Sequence, residues 1–202
     1  MKIKILFSIL ITLLLISCSK AIDLQEGDII FQESLSSQSK AVQLATKSKY
    51  SHIGIVLKKD GKLSVCEAGE VVKFTPLSDW LKKGKDGKYA AKRLKDAEKI
   101  LTDEALKKIH KSSEKYVDKK YDPYFEWSDD RIYCSELVWK IYKDALAIEI
   151  GKIQKFNEFD LSNPVVKNKL KERFGDKIPL NEPVISPASM FDSDKLVTVN
   201  SN

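Results

Sequence analysis

The chain has 202 residues, of which 43% are hydrophobic and 32% charged, and its formal net charge is +6. This composition excludes an intrinsically disordered chain and favours one globular domain with a substantial core. The lysines are spread along the chain without an aromatic–basic RNA motif or a helix-turn-helix pattern, so we expect no nucleic-acid partner.

The first residues have the pattern of an export signal. Lys2 and Lys4 precede an apolar stretch at residues 5–16, which is shorter than the roughly 20 residues that a membrane-spanning helix needs. The stretch ends in Leu-Ile-Ser-Cys at residues 15–18, which resembles the bacterial lipoprotein box. That resemblance implies cleavage after residue 17 and lipidation of Cys18. An ordinary secretory signal with an incidental cysteine is the alternative interpretation.

Three parts of the chain follow from this interpretation. Residues 1–17 are a lipoprotein signal peptide, residues 18–23 a lipidated anchor and linker, and residues 24–202 the folded domain. Removing the signal removes two lysines and no acid, which lowers the formal net charge from +6 to +4. We therefore expect a protein of the bacterial cell envelope that faces outside the cytoplasm and contacts a membrane surface through its lipid anchor.

The first half of the domain is predicted to be mainly strands. Alternating apolar and β-branched residues, together with Asp60-Gly61 as a hairpin turn, indicate antiparallel strands. The first follows a turn within residues 24–32, and the others lie at residues 50–57, 62–68, 71–75 and 89–94. A helix is predicted within residues 34–48, with serines near Ser36 as caps, and a helical turn and a polar loop follow at residues 77–81 and 84–88.

The second half is predicted to be mainly helical. Thr102 is a suitable N-cap for a helix over residues 102–119, and Pro123 interrupts an aromatic loop at residues 121–127. Further helices are expected from residue 134 to near Gly151 and over residues 164–174. A short turn near residues 185–191 and a last strand at residues 195–199 complete an α+β layout.

Cys134 is the cysteine most favourably placed for chemistry. It opens a helix whose apolar stripe repeats at helical spacing, and Asp129 and Asp130 are candidate caps just before it. The positive end of the helix dipole lowers the pKa of a thiol there and favours the nucleophilic thiolate. Cys66 lies in a predicted strand, where a small buried side chain is the simpler interpretation. Because the protein is expected to be exported, a Cys66–Cys134 disulfide also stays open.

A cysteine nucleophile needs a base and an orienting group. The chain has two histidines. His110 is expected on the polar, exposed side of its helix, whereas His52 opens a core strand. The hairpin places Glu67 beside His52, within about one residue of the same rung, so the carboxylate could orient the imidazole. The histidines and cysteines lack the close-spaced pairs that zinc prefers, so we expect neither a metal nor another cofactor.

Four ordered motifs resemble the YiiX-like branch of the NlpC-type, papain-like cysteine hydrolases. They are Glu-Gly-Asp-Ile-Ile-Phe at residues 26–31, Tyr-Ser-His-Ile-Gly-Ile at 50–55, Glu-Ala at 67–68 and Tyr-Cys-Ser-Glu-Leu-Val at 133–138. In this family the histidine strand precedes the cysteine helix. The resemblance covers roughly residues 24–199. It implies a circularly permuted papain-like fold, an antiparallel half-barrel packed on the nucleophile helix.

The resemblance also implies roles for individual residues. Cys134 would be the nucleophile, His52 the base, Glu67 the group that orients His52, and Tyr121 an oxyanion donor. The glycine pair that follows this tyrosine in ordinary NlpC-type enzymes is replaced by Pro-Tyr-Phe at residues 123–125.

Three functions stay open at this point. A hydrolase would cleave an amide of a small peptide or amino acid, whereas an acyltransferase or thioesterase would use the same site on an acyl substrate. A lipoprotein that binds a peptide or glycan without catalysis is the third. Specificity is expected in the aromatic loop, the loop near Gly84 and residues 152–174.

Overall fold

A six-stranded antiparallel sheet forms the centre of the fold in the computed structural model, which describes residues 24–201. The signal peptide and Cys18 therefore lie outside the described residues. The strands, in chain order, are β1 (Ile29–Gln32), β2 (His52–Lys59), β3 (Lys62–Ala68), β4 (Val72–Pro76), β5 (Ala90–Leu94), β6 (Lys120–Tyr121), β7 (Arg131–Ile132), β8 (Gln154–Lys155), β9 (Pro183–Val184) and β10 (Leu196–Ser201). The central sheet has the order β10-β5-β1-β2-β3-β4, and β6-β7 and β8-β9 form two small pairs.

Seven α-helices surround this sheet in the described range. They are α1 (Ser39–Thr46), α2 (Leu77–Lys83), α3 (Ala97–Ile100), α4 (Asp103–Glu114), α5 (Cys134–Leu146), α6 (Pro164–Phe174) and α7 (Pro187–Phe191). Across residues 24–201, no helix combines the length and the apolar character that crossing a membrane requires. The mixed α+β architecture confirms the predicted fold class.

The β2–β3 hairpin fixes the register next to the site. Asp60 and Gly61 both have positive φ, 52° and 75°, as a two-residue turn that matches the strand twist requires. The pairing runs from Lys59 opposite Lys62 to Ile55 opposite Cys66. Gly54 is needed beyond that pair, because a Cβ there would lie 2.3 Å from a Val65 methyl group and 2.9 Å from the Cys66 carbonyl.

The two faces of the sheet cover two apolar clusters. The larger cluster joins one face to α4 and α5 and includes Phe31, Ile53, Ile55, Cys66, Leu137 and Ile141. The smaller cluster lies on the other face, where α2 inserts Trp80 against Ile30, Val56 and Val65. Strand alternation accounts for both clusters, since neighbouring residues of one strand point to opposite faces.

Several element boundaries differ from the predicted ones. Helix α1 begins at Ser39, and its N-cap is Gln38 rather than a serine near Ser36. Thr102 caps α4 as predicted, accepting a hydrogen bond from the Ala105 amide, but α4 ends at Glu114. Helix α5 ends at Leu146 because Ala147 adopts the left-handed conformation.

Candidate active site

The thiol of Cys134 lies at the first residue of α5, where it is 4% exposed and free. Contacts on both sides of the cysteine hold this helix start in place. The Ile185 amide donates a hydrogen bond to the Tyr133 hydroxyl at 3.1 Å, and the Ser135 hydroxyl donates to the Ile185 carbonyl at 2.8 Å. Cys134 is therefore at the positive end of the α5 dipole, where a thiolate is stabilised.

The cap of α5 differs from the sequence prediction. The Tyr133 amide points to the Glu136 carboxylate, with 3.4 Å between the nitrogen and Oε2. Asp129 instead accepts a hydrogen bond from the Lys140 ammonium at 2.7 Å, and Asp130 is exposed. The prediction of an aspartate cap was therefore wrong, because the carboxylate of the first helical turn takes that place.

His52 and Glu67 contact each other directly. His52 Nε2 lies 2.6 Å from Glu67 Oε2. Counting from the pair Ile55–Cys66, Glu67 comes opposite Gly54, so His52 is two residues from that rung rather than within one. Both side chains point to the same face and join as diagonal neighbours, which long side chains can do.

Donors from three elements surround the Glu67 carboxylate. Besides His52, the Trp80 indole N–H donates to Oε2 at 2.9 Å, and the Thr75 hydroxyl donates to Oε1 at 2.6 Å. The Lys83 ammonium lies 3.3 Å from Oε1. A carboxylate that is 3% exposed is thus ionised and fixed by β4 and α2 as well as by His52. Sequence reasoning missed Thr75, Trp80 and Lys83 as partners of Glu67.

These contacts shift the pKa values of both side chains. Burial raises the pKa of Glu67, but hydrogen bonds and the charge of His52 outweigh it and lower that pKa to about 2. Burial likewise lowers the pKa of His52, but interactions with Cys134 and Glu67 outweigh it and raise that pKa to about 10. His52 is thus an imidazolium at neutral pH. Because Nε2 contacts Glu67, Nδ1 is the nitrogen left for the thiol.

Tyr121 faces the same space as Cys134. Burial and the charge of Cys134 raise the pKa of its phenol above the usual range, so the hydroxyl keeps its proton. The Gln38 amide donates a hydrogen bond to that oxygen at 2.6 Å, and the Arg173 guanidinium donates to the Gln38 carbonyl at 3.0 Å. Arg173 thereby fixes the orientation of the Gln38 amide. Since the Tyr121 oxygen already accepts a hydrogen bond, its own proton is available to a third group.

The other cysteine and the other histidine have separate environments. Cys66 is fully buried in the larger cluster, and burial raises the pKa of its thiol to about 12. It also points to the sheet face opposite Glu67. His110 was expected to be exposed, but its side chain is 31% exposed and contacts the Glu26 carboxylate at 2.8 Å. The structure thus brings together Cys134, His52, Glu67 and Tyr121, and leaves out Cys66 and His110.

An apolar cavity of about 90 Å³ opens beside Cys134. The aromatic loop contributes Tyr121 and Phe125 to its lining, and the segment from residue 152 to residue 174 contributes one part of the remaining wall, beside residues of α1, the start of α5 and the segment before α7. Both were predicted to carry specificity, whereas the loop near Gly84 does not line this cavity.

Comparisons with known proteins give the family. A family model described as the permuted papain-like amidase enzyme, YaeF/YiiX, C92 family, matches residues 23–200. The chain belongs to this family, and the histidine-before-cysteine order is the permuted order. It is 50% identical over 175 residues to the uncharacterized protein YiiX of Escherichia coli K12, covering 87% of this chain and 85% of that protein.

A solved structure supports the same fold. The crystal structure of YiiX from Escherichia coli O157:H7 superposes with a TM-score of 0.85 at 50% identity, covering 88% of this chain and 97% of that one. The match confirms the permuted papain-like fold, and membership of the family supports cysteine hydrolase chemistry of the amidase type.

The protein in that crystal structure is described as a metalloprotein, which raises the question of whether the side chains of the present chain fit a metal. Within residues 24–201, no group of three or more His, Cys, Asp and Glu side chains is arranged to hold one. At the site itself, both Glu67 oxygens already accept hydrogen bonds. Cys134 and His52 alone are fewer than the three protein ligands of a catalytic zinc site. The described residues therefore do not fit a metal at Cys134.

Proposed function

We propose that the protein is a cysteine hydrolase that cleaves an amide bond through Cys134, His52 and Glu67. The observation that carries this proposal is the position of His52. Its imidazole interacts with the thiol on one side and with a fixed, ionised carboxylate on the other. Covalent acyl transfer needs a nucleophile in contact with a base, and a further group that orients the base.

The reaction begins with the thiolate–imidazolium pair. The Cys134 sulfur attacks the amide carbonyl carbon, and the carbonyl electrons move to oxygen. The His52 imidazolium then donates its proton to the leaving nitrogen, the C–N bond breaks, and an acyl-enzyme remains. Neutral His52 next takes a proton from water, whose oxygen adds to the acyl carbon, and the C–S bond breaks.

Two groups would stabilise the negative charge that develops on the carbonyl oxygen. Tyr121 offers a phenolic proton that Gln38 does not use. The backbone N–H of Cys134 is the second donor, because the first amides of a helix have no intrahelical acceptor. A donor of this kind contributes on the order of 3 kcal/mol to transition-state stabilisation.

Substitutions of the reacting residues test the proposal. We expect Cys134→Ala and His52→Ala to lower the release of p-nitroaniline from acyl p-nitroanilides by on the order of 10⁴-fold. Cys66→Ala and His110→Ala are the matched controls and keep turnover. Independently of the substrate, iodoacetamide at pH about 6 should alkylate Cys134 much faster than an ordinary thiol. Full turnover by a folded Cys134→Ala or His52→Ala protein would contradict the proposal.

We also propose that the enzyme works at a membrane of the bacterial envelope, outside the cytoplasm. The lipoprotein box supports this: Cys18 would carry the lipid, and residues 18–23 would link it to the domain that begins at residue 24. The proposed partners are the membrane surface and a small peptide, amino-acid amide or acyl substrate. Mass spectrometry of the mature protein should show an acylated N-terminal cysteine, and Cys18→Ser should release the protein from membranes. A mature chain with an unmodified Cys18 contradicts the anchor.

The apolar cavity favours a second candidate function at the same site, acyl transfer or thioester cleavage. The acyl-enzyme would then pass its acyl group to an alcohol or amine instead of water. Product analysis with and without an added acceptor separates the two, since a transferase forms the acylated acceptor and a hydrolase the free acid. A binding protein without catalysis would show neither product and an ordinary thiol at Cys134.

A further inference from the structure

The ammonium group of Lys140 lies between α5 and the loop that leads into it. Its side chain is only 12% exposed. The nitrogen donates hydrogen bonds to the Ser128 carbonyl and to Asp129 Oδ1, each at 2.7 Å, and forms an ion pair with Glu136 Oε1 at 2.8 Å. It also lies 5.2 Å from the centre of the Trp127 ring, a favourable position for a cation. Because an ammonium has three protons, these three oxygens can use all of them.

One of these partners supports the start of the nucleophile helix. Glu136 lies in the first turn of α5, two residues after Cys134, and is fully buried. Its carboxylate also faces the amide of Tyr133, the residue before Cys134. A buried carboxylate is costly unless a cation pairs with it. Burial raises the pKa of Glu136, and Lys140 offsets part of that rise and leaves the pKa at about 7.

The other two partners lie in the loop that joins Tyr121 to the nucleophile. This loop leaves β6 at Tyr121 and returns in β7, where Tyr121 pairs with Ile132. Each of these strands has two residues, and so short a pair is weak by itself. At the β6 end, the Asp122 carboxylate accepts two amides of the loop, at 2.8 and 2.6 Å. At the other end, Lys140 holds residues 128–129.

We propose that Lys140 is a positioning residue that holds Tyr121 at the correct spacing from Cys134. It joins residues 128–129 of the loop to the first turn of α5 through one ammonium group. The inference rests on the proposed function, in which the Cys134 sulfur attacks a carbonyl whose oxygen Tyr121 stabilises. In an active site, a displacement of about 1 Å lowers the rate by up to about 100-fold. Alkylation of the thiolate forms no oxyanion, so it should not depend on this spacing.

Lys140→Met removes the ammonium and keeps the apolar part of the side chain. We expect it to lower kcat for acyl p-nitroanilides by about 30-fold, with KM changed by less than about twofold. Alkylation of Cys134 by iodoacetamide should keep its rate, since Glu136 takes a proton when the ammonium is lost and the charge near the thiol stays balanced. An unchanged kcat, or equal losses in kcat and alkylation, overturns the proposal.

The matched control for this variant is Lys143→Met. Lys143 belongs to the same helix, but it is exposed and pairs with Glu149. An exposed pair of this kind contributes little to the fold, so kcat and the alkylation rate should both stay at the parent values. A loss of kcat in Lys143→Met as large as in Lys140→Met would mean that any lysine of α5 has the effect, and it overturns the assignment to Lys140.

A double-mutant cycle tests whether Lys140 acts through Tyr121. Tyr121→Phe alone should lower kcat by on the order of 100-fold, as the loss of an oxyanion donor does. In that background, Lys140→Met should lower kcat by less than about threefold more, because the group that it positions is already gone. The full loss in both backgrounds overturns the proposal, since a purely structural effect of Lys140 would persist without the Tyr121 hydroxyl.

Asp129→Ala decides the question if Lys140→Met does not fold. The Asp129 side chain is 70% exposed, and its removal leaves the Glu136–Lys140 pair intact. The backbone carbonyl of Asp129, which Lys119 contacts, is unchanged. We expect a loss of about threefold in kcat that disappears in the Tyr121→Phe background, and none in the control Asp130→Ala. No loss in Asp129→Ala, or a loss that persists in that background, overturns the proposal.

The same measurements separate this proposal from the proposed function. If the parent protein releases no p-nitroaniline and iodoacetamide alkylates Cys134 at the rate of an ordinary thiol, the proposed function fails, and the positioning role fails with it. Rapid alkylation and normal turnover in the parent, together with independent effects in the cycle, defeat only the role of Lys140.

Discussion

Replacing Glu67 by glutamine should lower the pKa of His52 while preserving the shape of the side chain. The carboxylate contacts His52 Nε2 at 2.6 Å and receives donors on both oxygens. A glutamine has one carbonyl oxygen, so its amide group must face either the His52–Trp80 pair or the Thr75 hydroxyl, and at least one donor loses its acceptor. The negative charge that favours the imidazolium also disappears.

The magnitude follows from the position of the His52 pKa. That pKa is raised from 6.5 to about 10, and the difference corresponds to roughly 5 kcal/mol at about 1.4 kcal/mol per unit. Cys134 and Glu67 are the two sources of the rise. If each supplies about half, Glu67→Gln should lower the His52 pKa by about two units.

Proton NMR can measure this directly, because the chain has two histidines. His110→Asn removes one ring signal and thereby assigns the other to His52. We expect the His52 signal to titrate near pH 10 in the parent protein and about two units lower in Glu67→Gln. Glu26→Gln is the matched control, since Glu26 contacts His110 and not His52. A parent midpoint near pH 6.5, or an unchanged midpoint in Glu67→Gln, would refute the reasoning.

Three further predictions concern the same groups. The contribution of charged His52 to stability is complete below pH 6.5 and is lost as the pH rises through about 10, whereas that of ionised Glu67 is complete above pH 4.5 and is lost as the pH falls through about 2. The difference in urea midpoint between the parent and Glu67→Gln should therefore be largest between pH 4.5 and 6.5. A pH-independent difference contradicts this. Thr75→Val should lower the free energy of unfolding by roughly 2 kcal/mol, because it removes a hydroxyl that donates to a buried carboxylate. Thr198→Val, at an exposed position, is the control and should change the urea midpoint little. Equal losses of stability in the two variants would argue against the hydrogen-bond network around Glu67. Gln38→Met should lower kcat by about tenfold with little change in KM, because Tyr121 loses the donor that orients it. Gln43→Met is the control, since Gln43 lies within α1 and donates to the Lys49 carbonyl. A change in KM alone would mean that Gln38 binds substrate instead.

Local patterns predicted most of the architecture because the interactions behind them are local. Asp60-Gly61 predicted the hairpin turn, and the apolar stripe after Cys134 predicted which side of α5 faces the core. The same patterns brought His52 and Glu67 to one sheet face. The predicted offset between these two residues, within about one residue, was wrong. The turn pairs Lys59 with Lys62, which places Glu67 two residues from the rung of His52.

The parts that sequence reasoning missed depend on contacts between distant segments. Arg173 reaches Gln38 across 135 positions, and nothing in the sequence near either residue indicates the pairing. Trp80 lies in the helical turn predicted at residues 77–81, and only the packing of α2 on the sheet directs its indole N–H to Glu67. Asp129 resembled a cap, but Lys140 draws its carboxylate away from the helix start.

The environment of Glu67 itself argues for a chemical role. A buried ion pair is weakly stabilising at best, because removing both charges from water costs about as much as their attraction returns. Apolar residues at the positions of His52 and Glu67 would extend the cluster around Trp80 without that cost. The fold instead places Thr75, Trp80 and Lys83 around the carboxylate, and the imidazole that this carboxylate keeps charged is the one that interacts with Cys134. Polar and charged side chains thus replace apolar packing at this position, and they keep the proton of the His52 imidazolium beside the thiol. The proposed acyl transfer requires that proton for the leaving group.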